Sequence, residues 1–156
     1  MDFSNINLRA AHETPTPVHL SLDGAPLYVQ PDKTISGTPT SKPCRVLLIG
    51  AGSEKVSAII REIERLEMVY GQRCQRARDN ALPALAEQHQ SAMRDASARL
   101  IHAAVVGFEG IVFDGKEVEA EAEYINRLCV PRTAFFTQVY EAILEQKRFL
   151  TGAASV

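Results

Sequence analysis

The sequence predicts an α+β fold, in which a small antiparallel N-terminal sheet is followed by a mainly helical C-terminal region. Three patterns predict it: alternating apolar residues around Asp23-Gly24, an apolar run at 44–49, and apolar residues at three- and four-residue steps from Val56 onward. Alternation is typical of half-buried strands, and the longer step is typical of amphipathic helices. Strands and helices are thus segregated along the chain, unlike the alternating order of α/β folds.

The 156 residues fit one domain with a loose segment at each end. Residues 1–17 are polar and end in Thr-Pro-Thr-Pro, which predicts an extended or partly disordered N-terminal arm. Residues 18–150 form the single α+β domain, with a β portion at about 18–50 and a helical portion at about 53–150. Residues 151–156 are expected to be a flexible tail.

The β portion contains a predicted hairpin, because Asp23-Gly24 separates two short alternating runs and Asp-Gly accepts the positive φ angles of a tight turn. Residues 30–43 are rich in Pro, Gly, Ser and Thr and predict a mobile loop. The run CRVLLI follows as the third and most buried strand.

The helical portion begins at Ser53, a predicted N-cap. A second long helix is predicted near Leu82, and the glycines and Asp-Gly of GFEGIVFDGKEV interrupt the helices after it. The alternating stretch EVEAEAEY is read as a strand ending near Val118 and a helix from about Glu121, because Glu and Ala favour helices. Two short helices, at about 121–129 and 132–148, are separated by Pro131.

The composition argues against several classes of protein. With 17 basic and 19 acidic side chains the net charge is −2, which disfavours nucleic acid as a partner, and the small cluster Arg73, Arg76 and Arg78 has no interleaved aromatics. No apolar run is long enough to span a membrane and the N-terminus has no signal-peptide core, so no membrane partner is predicted and a cytoplasmic location is expected. Three cysteines without C-x-x-C are expected to be reduced and to bind no metal.

The stretch Gly50-Ala-Gly52-Ser-Glu-Lys raises the question of a nucleotide site. Lys55 stands where both the dinucleotide fingerprint and the P-loop require glycine, so a plain strand-to-helix turn is predicted. A small nucleotide-dependent enzyme using this turn is kept as an alternative. Ser53 lacks a G-x-S-x-G context, and Glu119 and Glu123 are read as solvated surface. No catalytic, cofactor-binding or metal-binding residue is therefore predicted, and no cofactor.

The last third of the chain resembles the C-terminal part of tail assembly chaperones of long-tailed bacteriophages. The segments that carry the resemblance are Val105-Val106, Phe108-Glu-Gly110, Asp114-Gly115-Lys116, Leu128-Cys129 and Arg148-Phe149-Leu150. The hairpin and the strand before Gly50 resemble the family's N-terminal β portion more loosely. The family commonly has Trp in place of Phe108 and Ser-Pro in place of Glu121-Ala122.

The resemblance implies a non-enzymatic protein of the host bacterial cytoplasm, made by a phage or prophage. Such a protein binds the tape measure protein, keeps it soluble and helps recruit tail tube subunits, and is expected to be absent from the mature virion. The implied partners are the phage tape measure protein, the tail tube protein and a longer, frameshifted form of the chain itself. A structural tail protein retained in the virion is the main alternative.

Exposed apolar residues of the C-terminal helices are the predicted contact surface for the partner, because a groove of apolar side chains can cover a partner's apolar helix. The candidate residues are Phe108, Tyr124, Phe135, Phe136, Tyr140 and Phe149. Phe135 and Phe136 are adjacent on one predicted helix, so they must point to different faces. The alternative is that most of these aromatics belong to the core.

Overall fold

A computed structural model describes residues 8–145, and its strands and helices confirm the α+β prediction. The elements in chain order are α1 (Leu8–Glu13), β1 (Thr16–His19), β2 (Ser21–Leu22), β3 (Ala25–Pro26), β4 (Tyr28–Val29), β5 (Ile35–Ser36), β6 (Arg45–Leu48), α2 (Glu54–Arg76), α3 (Leu82–Ala104), β7 (Val105–Glu109), β8 (Val112–Phe113), β9 (Lys116–Glu117), α4 (Ala122–Leu128) and α5 (Ala134–Leu144). A short 3-10 turn, Asp79–Ala81, joins the two long helices. The predicted flexible tail and the last residues of the predicted final helix lie outside the described residues.

The central sheet has three antiparallel strands in the order β1-β6-β7. The middle strand β6 is the predicted buried strand, and its Val46 and Leu48 are fully buried. Its other neighbour, β7, comes from beyond α3, and the pairing of this later segment with the N-terminal strands was not predicted. The β-branched Val105 and Val106, followed by Gly107, favour extended backbone once α3 ends at Ala104.

Three two-stranded hairpins lie outside this sheet: β2-β3, β4-β5 and β8-β9. The predicted hairpin at Asp23-Gly24 is confirmed, and both residues have positive φ, 52° and 80°. Asp114-Gly115 makes a second turn with the same sign of φ, 53° and 76°. Part of the predicted mobile loop at 30–43 is the strand β5, paired with β4.

The two long helices, α2 and α3, have 23 residues each and form an antiparallel hairpin about 35 Å long. Ser53 caps α2 as predicted, because its side chain accepts from the Val56 N–H at 3.4 Å. Pro83 lies in the first turn of α3, where the missing N–H costs no helical hydrogen bond. The hairpin packs on β7, α4 and α5 through α3.

The N-terminal arm differs from the prediction of an extended segment. Residues 8–13 form the helix α1, and residues 16–17 already belong to β1. A six-residue helix is too short to be stable alone, so tertiary contacts must hold it. Those contacts are visible: Ala11 and His12 are buried, and His12 bonds to the turn before α2.

The C-terminal helices are shorter than predicted within the described residues. Helix α4 spans Ala122–Leu128, and α5 starts at Ala134 behind the cap Thr133, whose Oγ1 accepts from the Phe136 N–H at 3.5 Å. Val139 and Ile143 of α5 are fully buried in the core. Both helices therefore close one end of the domain against α3.

Candidate functional site

An apolar groove of about 300 Å³ opens on the described surface and is here named the Phe135 groove. It lies where the three hairpins meet the C-terminal helices. Its lining residues are Leu20, Leu22, Leu27, Ile35, Cys44, Gly110, Ile111, Val112, Phe113, Leu128 and Phe135. No charged side chain is among them, so the groove suits an apolar ligand or an apolar side of a partner.

Two side chains at this groove are exposed although they are large and aliphatic. Leu22 is 48% exposed and Ile35 is 38% exposed, and each belongs to a different hairpin. Single exposed aliphatics are ordinary on a protein surface, but two beside an apolar groove form a continuous patch. Sequence reasoning missed both, because it looked for aromatics in the C-terminal helices.

A side-chain amide fixes α5 against the first hairpin. The Gln138 Oε1 accepts from the Ser21 N–H at 2.9 Å, and its Nε2 donates to the Ser21 carbonyl at 2.7 Å. These are the two bonds that a neighbouring strand would make, so Gln138 takes the place of a strand at the edge of β2. The amide thereby joins two segments that line the groove, β2 with Leu22 and α5 with Phe135.

The floor of the groove requires a glycine. Gly110 has a φ of +64°, and an added Cβ would lie 2.6 Å from the Pro43 carbonyl oxygen. Its N–H donates to Glu117 Oε1 at 3.1 Å, and Glu117 also pairs with Lys42 at 3.9 Å. Burial, and then the nearby Glu117 charge, raise the pKa of the Cys44 thiol to about 11, so this lining cysteine stays protonated and unreactive at neutral pH.

One wall of the groove is braced by charge and by aromatic contacts. The Arg127 guanidinium lies 4.6 Å from the ring centre of Phe113 and pairs with Asp114 at 3.2 Å. Phe113 also stacks on Tyr124, with ring centres 5.6 Å apart. The wall is thus a layered unit of α4 and the β8-β9 hairpin, and its residues Val112, Phe113 and Leu128 line the groove.

Phe135 and Phe136 point to different faces of α5, as their adjacency predicts. Phe135 lines the groove just described. Phe136 lines a second opening between α3 and α4, together with charged or polar residues such as Arg94, Asp95 and His102. The second opening is more polar, so the Phe135 groove is the better candidate for an apolar partner.

The remaining predicted site residues are not gathered at one place. Phe108 lies on β7 opposite Val46 and packs on the core, and Tyr140 stacks on Phe136 with ring centres 5.8 Å apart. All five described aromatics of the predicted set are half-buried. They are thus less exposed than a contact surface was predicted to be, and more exposed than the alternative of core residues required. Phe149 lies outside the described residues.

The Gly50–Ser53 turn uses its backbone N–H groups within the protein. Gly50 donates to the His12 carbonyl at 2.7 Å, Gly52 to His12 Nδ1 at 3.0 Å, and Glu54 to Glu13 Oε1 at 2.9 Å. The N–H groups between them donate to the carbonyls of Ile143 and Gly50. A phosphate would have to displace α1 and its Glu13 carboxylate, whereas phosphate-binding loops offer free N–H groups.

Within residues 8–145 no group of three His, Cys, Asp or Glu side chains is placed to hold a metal ion. In the same part of the chain no helix is both long and apolar enough to cross a membrane.

Comparison of the chain with protein-family models, with curated proteins and with solved structures found no match in any of the three.

Proposed function

We propose that this protein is a phage tail assembly chaperone whose Phe135 groove binds an apolar helical face of the tape measure protein. The observation that carries the proposal is an open, uncharged groove of about 300 Å³ flanked by the exposed Leu22 and Ile35. An amphipathic helix that binds in such a groove buries apolar surface, and each Å² removed from water contributes about 25 cal/mol of favourable free energy. Covering that surface is what keeps a long apolar helix from aggregating.

The positions of the segments that resemble the chaperone family also favour the Phe135 groove as the binding site. Gly110 and Leu128 line the groove, and Asp114-Gly115-Lys116 forms the turn of the hairpin that bounds it. Residues of three of the five segments therefore lie at or beside one groove: two neighbouring segments around the β8-β9 hairpin, and Leu128 from α4. The proposal includes the family's wider role: action in the host cytoplasm, help in recruiting tail tube subunits, and absence from the mature virion.

The decisive experiment is co-expression with the tape measure protein of the same genome, followed by size-exclusion chromatography. We expect a soluble complex with the wild-type chain and an insoluble tape measure protein alone. Replacing Leu22 and Ile35 by Glu places charge at the groove without removing buried side chains, so the variant should fold but lose the complex.

The matched control for each single replacement, Leu22→Glu or Ile35→Glu, is Met68→Glu, since Met68 is 59% exposed and lies on α2, outside the groove. It introduces the same kind of charge and should keep the complex. Equal binding by the groove variant and the control would contradict the assignment of this groove. Failure of the wild-type chain to bind would contradict the chaperone proposal itself.

Retention in the particle separates a chaperone from a structural tail protein. Mass spectrometry of purified virions should detect tail tube and tape measure peptides but none from this chain. Its presence at a fixed stoichiometry would favour the structural alternative.

A further inference from the structure

The far end of the α2-α3 hairpin carries two charged rows along one face. Each row consists of two charged residues with one uncharged residue between them. The three residues follow each other at four-residue steps, so their side chains lie on one side of the helix. The rows are Arg65, Val69 and Arg73 on α2, and Glu87, Ser91 and Asp95 on α3. One edge of the face is therefore basic and the other edge is acidic.

A shallow apolar cleft runs between the rows. It is lined by Leu66, Val69, Tyr70, Arg73, Leu85, Gln88, His89 and Ala92. The acidic row lies just beyond it, on a flat surface that shares Gln88 and Ala92 with the cleft. None of the residues from 66 to 92 is buried, so this part of the hairpin exposes apolar surface that no described element covers.

The two rows are matched in height along the hairpin. Tyr70 stacks on His89, and Glu62 pairs with Arg99, which fixes two levels at which the helices face each other. Because the helices are antiparallel, each step forward along α2 corresponds to one step back along α3, and the numbers of two facing residues add up to about 160. By this rule Arg73 lies level with Glu87, and Arg65 lies level with Asp95. The ion pairs found among residues 8–145 include none of these four side chains.

We infer that a second copy of this chain packs on this face, forming a symmetric four-helix bundle in which Arg73 of each copy pairs with Glu87 of the other. A two-fold axis parallel to the hairpin exchanges the basic and acidic edges and leaves every height unchanged. It therefore places Arg73 against Glu87, Val69 against Ser91, and Arg65 against Asp95. The clefts of both copies are then covered together.

The charges also select the direction of packing. A two-fold axis perpendicular to the helices would turn the second copy end over end and place its basic edge against the basic edge of the first. Arg65 of one copy would then face Arg73 of the other, and Glu87 would face Asp95. Like charges in contact oppose association, so the parallel arrangement is favoured. The rows hold two basic and two acidic side chains, and Arg94, three residues after Ser91 on α3, lies on the acidic side as well. A copy of the same face offers both signs of charge to these rows, whereas an acidic or a basic helix from another protein would match only one row.

The test is a charge exchange measured by sedimentation equilibrium at low salt. The wild-type chain should show twice the monomer mass of 17.1 kDa. Arg73→Glu and Glu87→Arg should each bring like charges together twice per dimer and weaken association by about tenfold or more. The double variant restores both pairs and should recover most of the wild-type association.

The control is Lys116→Glu, which makes a similar charge reversal in the exposed strand β9 and should leave the mass unchanged. Far-ultraviolet circular dichroism shows that each variant is folded. A wild-type monomer at about 100 μM would overturn the inference. So would a dimer that resists both single variants, or single variants that dissociate without recovery in the double variant.

A cross-link gives a second readout that does not depend on charge. In a Cys74→Ser background, chains carrying Val69→Cys should form disulfides with chains carrying Ser91→Cys. These mixed dimers should exceed the homodimers formed by the Val69→Cys chains, because residues 69 and 91 face each other only in the parallel arrangement. A preference for homodimers would overturn that arrangement.

Discussion

The two ends of the α2-α3 hairpin are built from the same helices but differ in what surrounds them. At the proximal end Val56, Ala96, Leu100 and Ala104 are fully buried against the sheet and the C-terminal helices. At the distal end, residues 66–92, no side chain is buried and a stacked Tyr70–His89 pair lies at the helix contact. Continuous secondary structure therefore does not imply uniform stability, because helices in proteins are stabilised mainly by packing.

The largest difference is expected from a proximal truncation. Leu100 is completely buried, so Leu100→Ala removes apolar contacts and leaves a cavity between α3 and the sheet. We expect the free energy of unfolding to fall by about 3 kcal/mol, within the range for buried Leu→Ala changes. Urea denaturation followed by circular dichroism measures it, and a loss below about 1 kcal/mol would contradict the role of this end as the core.

The same truncation at the distal end should cost much less. Leu85 is only half-buried in the cleft, and Ala has a slightly better helix propensity, so Leu85→Ala should cost about 1 kcal/mol or less. The measurement is made at low protein concentration, where the chain is monomeric. A loss equal to that of Leu100→Ala would remove the contrast between the two ends.

Raising the protein concentration refines that comparison. If a second copy covers the cleft, a higher protein concentration stabilises the wild-type chain more than Leu85→Ala, because the variant dimerises less tightly. The difference in free energy of unfolding between these two chains should therefore grow with concentration. For Leu100→Ala, a residue outside the cleft, the difference should stay constant.

Local patterns were sufficient for much of the fold. The cap at Ser53, the Asp23-Gly24 turn and the opposite faces of Phe135 and Phe136 each depend on residues close in sequence. The partner of β6 could not be found this way, because its pairing with β7 brings together segments separated by both long helices. A strand's own sequence does not specify which distant strand it pairs with.

The candidate site shows the same limit. The groove is lined from several separate stretches of chain, and the exposure of Leu22 and Ile35 is decided by where three hairpins meet. The sequence predicted Phe135, which lines the groove, as a partner-binding residue but grouped it with aromatics that lie elsewhere. Helix α1 was missed for a related reason, since its stability comes from contacts with a distant turn rather than from its own six residues.

That turn gives the smallest predicted effect, at the proximal end of the hairpin. Burial lowers the pKa of His12 below its ordinary value of 6.5, and its Nδ1 must be unprotonated to accept from the Gly52 N–H. Between the lowered pKa and about 6.5 the unfolded chain binds more protons than the folded chain. The contribution of His12 to the free energy of unfolding is therefore complete above about pH 6.5, and it is lost as the pH falls from there toward the lowered pKa.

The measurement compares wild-type and His12→Gln chains by urea denaturation at about pH 7.5 and about pH 5. Gln offers a carbonyl oxygen that can accept from Gly52 but does not titrate, so its stability should fall less between the two conditions. The difference between the two chains isolates His12 from every other group that titrates in this range. An identical decline would show that α1 stays attached whatever the charge of His12, and that the proximal end is held by the carbonyl of His12 and by Glu13 instead.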